Sequence, residues 1–142
     1  MNNLIITNTP ELPEDYSIAV IDGKEVTTLR HFYEVLAKTL EFPDYFGFNL
    51  DSLDELLNDL SWIENEKIAI QIINSESFLA SERNQDKILT LLDLLDATCE
   101  DWRWMEPQED ISEDDEDYIP KKELVFVFSE SPRITELLKH FE

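Results

Sequence analysis

Apolar positions follow two rhythms along the chain: short unbroken runs, and a recurrence every three to four residues. Ser17 to Ile21 is a short apolar run closed by the turn pair Asp22-Gly23, which predicts a strand. Thr27 or Thr28 can then cap a helix whose stripe is Leu29, Phe32, Tyr33, Leu36 and Leu40, with Pro43 expected to stop it. Asn49 can cap a second helix to about Leu60, striped by Leu50, Leu53, Leu56, Leu57 and Leu60. Lys67 to Ile73 is apolar at nearly every position, as in a strand buried on both faces. That pattern predicts a parallel sheet with helices on both sides. A third helix from about Glu82 to Thr98 points Ile88, Leu91, Leu92 and Leu95 inward. Leu124 to Phe128 reads as a third strand. Ser131-Pro132 starts a last helix with Ile134, Leu137, Leu138 and Phe141 on one face. The order strand, two helices, strand, helix, strand, helix implies an α/β layer fold around a small parallel sheet.

A length of 142 residues fits one domain, 1–142, and 42% hydrophobic residues suffice for its core. No apolar run approaches the roughly 18 residues of a membrane span, so no membrane association is expected. Met1 to Pro10 has no basic start followed by an apolar stretch, hence no expected signal peptide. The lone Cys99 allows no internal disulfide and reads as a helix-end residue. A cytoplasmic location is expected.

Charge changes the picture. Asp and Glu total 33 against 11 Lys and Arg, a formal net charge of −22. Such a chain repels nucleic acid and anionic lipid and attracts basic proteins. Eight acids and no base lie between 106 and 118, so 106–122 is expected to be an exposed acidic insertion. Two glycines, Gly23 and Gly47, are too few for a phosphate-cradling loop. His31 and His140 fall in different helices and read as surface residues, and no zinc spacing or Gly-x-Ser-x-Gly elbow occurs. The acids of 109–117 lack the central glycine of a calcium loop. No catalytic residue, metal site or cofactor is therefore expected, and the chain is expected not to be an enzyme.

The second helix is the informative one. At about 100° per residue its five leucines share one side, and Asp51, Asp54, Glu55, Asn58 and Asp59 share the other. Asp51–Glu55 and Glu55–Asp59 are like-charge pairs four apart, each unfavourable by roughly 0.2–0.5 kcal/mol. Only Asp51, in the first turn, gains from the helix dipole, which opposes Asp59. From Thr39 to Glu66 there are eight acids and no Lys, Arg or His. A helix tuned for solubility alone would mix its signs, whereas a basic partner would relieve this self-repulsion. Tyr45, Phe46 and Phe48 precede it, and aromatics beside charge are typical of protein–protein hot spots. Phe46 and Phe48 read as core; Tyr45, with a hydroxyl that needs water or a partner, reads as exposed.

The run Ile21-Asp22-Gly23-Lys24, a helix with Phe32, then Phe42-Pro43-Asp44-Tyr45-Phe46-Gly47-Phe48-Asn49-Leu50-Asp51-Ser52-Leu53-Asp54-Glu55-Leu56-Leu57 resembles the barstar family of intracellular ribonuclease inhibitors. The resemblance covers about residues 17 to 73 and does not extend to the first 15 residues, the acidic insertion or the last helix. It implies a three-stranded parallel sheet flanked by helices, to which this sequence adds the insertion and an extra C-terminal helix. It also implies inhibition through the second helix and the loop before it. Tyr45, Asn49 and Asp51 stand at the family's loop tyrosine, binding asparagine and first helix acid. Glu55 replaces its main interface aspartate, and Asp54 replaces an aromatic. Asp93 is the nearest counterpart of a later family acid. The partner-binding set is thus Tyr45, Asn49, Asp51, Asp54, Glu55, Asn58 and Asp59, and the expected partner is a basic ribonuclease or toxin domain. The free chain is expected to be a monomer. The alternatives are an acidic protein-interaction or DNA-mimic module, and immunity to a toxin that is not a ribonuclease.

Overall fold

The computed structural model describes residues 3–105 and 121–141. Its elements are β1 (Leu4–Ile6), β2 (Ser17–Asp22), α1 (Leu29–Thr39), α2 (Leu50–Leu57), β3 (Lys67–Ile73), α3 (Gln85–Arg103), β4 (Glu123–Phe128) and α4 (Pro132–Lys139). Short 3-10 turns at Gly23–Glu25 and Ser75–Ser77 follow β2 and β3. The strands form one wholly parallel sheet in the order β1-β4-β3-β2. The architecture is α/β, as expected, but the sheet has four strands where three were expected. The added strand, β1, pairs Leu4, Ile5 and Ile6 with Phe126, Val127 and Phe128. Three residues are too few for a periodicity to register.

The expectation of helices on both sides is also corrected. Ile21, Ile68, Ile70, Ile72, Leu124, Phe126, Phe128 and Leu4 share one face, and they join the buried side chains of all four helices in one cluster. On the other face Ala69 and Val127 are buried outside that cluster, while Ile5, Ile18 and Val20 are exposed. The continuous apolar run of β3 therefore has a different cause. β1 and β2 lie at opposite edges, so residues 7–16 must cross the sheet between them. Their far end is tied on the face away from the helix cluster. The Tyr16 hydroxyl donates to Glu123 at 2.6 Å, and Asp15 pairs with Lys67 at 2.7 Å.

Helix ends obey local chemistry. Thr28, Asn49 and Ser131 cap α1, α2 and α4, each side-chain oxygen accepting from a backbone N–H three residues on. Pro132 occupies the first turn of α4. α1 does not run on to Pro43. It ends at Thr39 because Glu41 turns left-handed (φ 54°) and the Phe42 N–H reaches back to the Ala37 carbonyl at 2.8 Å. α2 stops at Leu57, short of Leu60, which is left-handed and fully buried. α3 begins at an Asn84 cap and continues past Thr98 to Arg103, because Thr98, Cys99 and Trp102 are buried beneath it. Two indoles satisfy carbonyls left over at helix ends. Trp62 donates to Leu40 and Trp102 to Leu57, both at 2.8 Å. Trp102 thereby moors the end of α2 to α3. Residues 106–120 of the expected insertion lie outside the described residues. Lys122, at its end, is buried with its ammonium on the carbonyls of Ile63 and Asn65.

Candidate functional site

Leu53, Leu56 and Leu57 are buried and Leu50 half-buried, which fixes the rotation of α2 and turns its polar side outward. Asp51, Asp54, Glu55 and Asn58 are exposed, and Asp59 is half-buried. Among the described residues no Lys, Arg or His forms an ion pair with Asp51, Asp54, Glu55 or Asp59. The self-repulsion expected along this helix is not relieved from within the described fold.

Hydrogen bonds order part of this surface. The Asn58 amide donates to the Asp54 carbonyl at 2.8 Å and to its carboxylate at 3.0 Å, leaving the other Asp54 oxygen uncommitted among the described residues. Asp59 accepts from the Ser61 N–H. Asp51 and Glu55 have no hydrogen-bond partner among the described residues and point to solvent from successive turns.

The loop before α2 is tightly braced. The Asn49 side chain accepts from the Ser52 N–H at 2.8 Å and donates to the Gly47 carbonyl at 3.1 Å, and the Gly47 N–H donates to the Ser52 hydroxyl at 2.9 Å. Asn49 is thus first a helix cap and loop brace; one amide hydrogen remains for a partner. A Cβ on Gly47 would sit 2.9 Å from the Asn49 amide nitrogen, so the brace needs glycine there. Phe46 is buried, packing edge-on against Tyr33 and Phe42, as expected of a core residue. Phe48 is only half-buried, and the Arg30 guanidinium lies 4.2 Å from its ring centre. Tyr45 is 66% exposed, an unburied aromatic in the loop that leads into α2. Asp93 is exposed on α3. Arg30 and Phe48 did not emerge as site residues from the sequence, and Arg30 lies too far along the chain from the loop for any spacing to link them.

A family model described as Barstar (barnase inhibitor) matches residues 16–115. The chain belongs to the barstar family. The matched stretch of this barstar-family chain runs from β2 through α3 and so contains the loop and α2, while β1, β4 and α4 fall outside it.

Elsewhere, hydrogen bonds lower the carboxyl pKa values of Asp15, Asp22 and Glu100, and burial acts on Cys99 and Tyr16. No described helix is long and apolar enough to cross a membrane, and no three metal-ligating side chains gather among the described residues. His31 and His140 are both exposed. Burial, with Asp96 nearby, pushes the Cys99 thiol up to about 12. Burial and the hydrogen bond to Glu123 likewise push the Tyr16 phenol up to about 12. Both groups keep protons in the fold that the unfolded chain sheds from about pH 9 to 10. Stability is therefore present below that range and falls as pH rises through it toward 12. Denaturation midpoints measured from pH 8 to 11 should decline. A thiol-specific disulfide reagent at pH 8 should leave Cys99 unmodified until the chain unfolds. Rapid labelling of the native protein would contradict the buried placement of the thiol.

Proposed function

We propose that the chain inhibits a basic ribonuclease by setting the outer side of α2 and the Tyr45 loop into the enzyme's active-site cleft. A ribonuclease must hold a polyanion, so its cleft is lined by Lys and Arg. Asp51, Asp54 and Glu55 offer carboxylates where RNA phosphates would lie, Tyr45 offers a rigid aromatic anchor, and the bulk of the helix excludes substrate. The observation that carries this reading is the exposure of those three carboxylates without an ion-pairing cation among the described residues. Family membership supports it, because the family's description names a ribonuclease, barnase, as the enzyme inhibited. The fold's role is positional: leucines set the helix rotation, Asn49 and Ser52 set the loop, and Trp102 holds the helix end. No step of covalent chemistry is required.

RNA cleavage by barnase and by a panel of other basic ribonucleases, with and without the purified chain, tests this. Opposite net charges should steer the encounter. The association rate is therefore expected to fall by about tenfold or more between low and high salt, with the dissociation rate changing far less. An association rate indifferent to salt would remove the electrostatic basis of the proposal. Alanine at Glu113 and Asp114 should leave inhibition intact. Equal loss from those changes and from changes on α2 would mean that the acids act as a bulk polyanion, favouring the DNA-mimic reading. One observation favours a second reading, immunity to a toxin of another class: Asp54 is an exposed carboxylate, one oxygen held by the Asn58 amide, where the family resemblance places an aromatic. Inhibition of no ribonuclease, together with binding to a basic toxin domain of other activity, would decide for it.

A further inference from the structure

Left-handed backbone normally falls to glycine, yet in the pair Gly47-Phe48 it is the phenylalanine that takes it, at φ 51°, while Gly47 does not. A bulky side chain stays in that region only where its surroundings over-determine it. The other such residues have ordinary reasons. Leu60 and Leu79 are fully buried, Glu41 closes α1, and Asn74 is of a type that tolerates the conformation. Phe48 is half-buried, directly before the cap of α2. Its ring lies 4.8 Å from that of Phe46, tilted by 40°. The Arg30 guanidinium sits 4.2 Å from its centre, and Arg30 Nε is held by Glu34 Oε1 at 2.9 Å. Glycine at position 48 would remove the backbone strain, so what phenylalanine supplies is the ring. That ring joins α1, through Arg30, to the loop between Tyr45 and Asn49.

We propose that the Arg30–Phe48 stack is a clamp that holds the Tyr45–Asn49 loop in its binding form before any partner arrives. Arg30 and Phe48 are positioning residues, acting through Tyr45 and Asn49. The left-handed turn at Phe48 delivers Asn49 into the extended conformation (φ −146°, ψ 170°) from which it caps α2. A loop already ordered spares the complex the loss of freedom on binding, so the clamp lowers the dissociation rate without adding a contact. This rests on the inhibitory surface proposed above.

The test compares Phe48→Gly, which accepts the left-handed backbone but loses the ring, with Phe48→Tyr, which keeps a ring face for Arg30. Both changes are neutral in charge, so electrostatic steering stays constant. In the free full-length chain, amide exchange at Gly47 to Ser52 should rise by about tenfold in Phe48→Gly and stay near the parent rate in Phe48→Tyr. Dissociation from barnase, or from the member of the ribonuclease panel inhibited most tightly, should quicken by about tenfold in the glycine variant, with association within about twofold. The tyrosine variant should match the parent. Unchanged exchange in Phe48→Gly would overturn the clamp, as would faster exchange with an unaltered dissociation rate. If the parent chain binds none of the panel, the inhibitory reading falls, and the exchange rates alone decide whether the clamp exists.

Discussion

Alanine at both Asp51 and Glu55 is expected to abolish inhibition of the target ribonuclease while leaving the fold as stable as before. Each carboxylate is exposed in the free chain and without an ion-pairing cation among the described residues. Each would meet a guanidinium or ammonium that becomes desolvated in the complex. Truncating one partner of such a pair costs about 2–5 kcal/mol, much of it from the charge left alone on the other side. One change therefore weakens binding by roughly thirtyfold to several thousandfold. The two residues sit one turn apart and share neighbours, so their combined effect need not be the sum. Stability is pulled in opposite directions. Losing Glu55 relieves two like-charge pairs of roughly 0.2–0.5 kcal/mol each, and losing Asp51 removes a favourable dipole contact of about 0.3–1 kcal/mol. Inhibition assays paired with denaturation curves separate the two effects. A double variant that still inhibits at parental concentrations would exclude these carboxylates as the site.

The largest expected effect on the fold is at Trp102. Its ring is buried and its indole N–H occupies the Leu57 carbonyl at the end of α2. Trp102→Ala should destabilise by about 3–5 kcal/mol, from lost burial and the cavity left behind. That is a large part of the roughly 5–15 kcal/mol that holds a domain of this kind together. Trp102→Phe isolates the polar contribution. Most of the ring volume stays, the Leu57 carbonyl loses its donor, and the expected cost is about 1–3 kcal/mol in chemical denaturation. A phenylalanine variant as stable as the parent would show that the hydrogen bond is replaceable by water.

Strong local signals in the sequence carried the framework. β3 stands where its apolar run lies, and the caps at Asn49 and Ser131 are the residues whose chemistry demanded them. The leucine stripe of α2 gave the rotation of the helix, and with it the exposure of Asp51, Asp54 and Glu55. What could not be read depends on distance or on backbone geometry. β1 is three residues whose strand neighbour among the described residues, β4, lies more than a hundred positions along the chain. A run of apolar residues in β3 does not say what covers each face, so the sheet's asymmetry was invisible. The end of α1 is fixed by the φ of Glu41, which no residue type announces. Beside Gly47, sequence logic would place the left-handed turn at the glycine; it lies at Phe48 instead, and the clamp followed only from that. Asn49 was legible as a cap, but its second bond to the Gly47 carbonyl was not.

The placement of β1 constrains the order of events at the ribosome. Leu4 to Ile6 are made well before Phe126 to Phe128, the strand with which they form their ladder among the described residues. Until those residues have been translated, β1 waits for the strand it zips onto, and that edge of the growing sheet stays open. Closing so long a loop is entropically slow. Docking of β1 onto β4 is therefore expected to follow assembly of the α2 surface, whose segments are all made before Phe126 to Phe128.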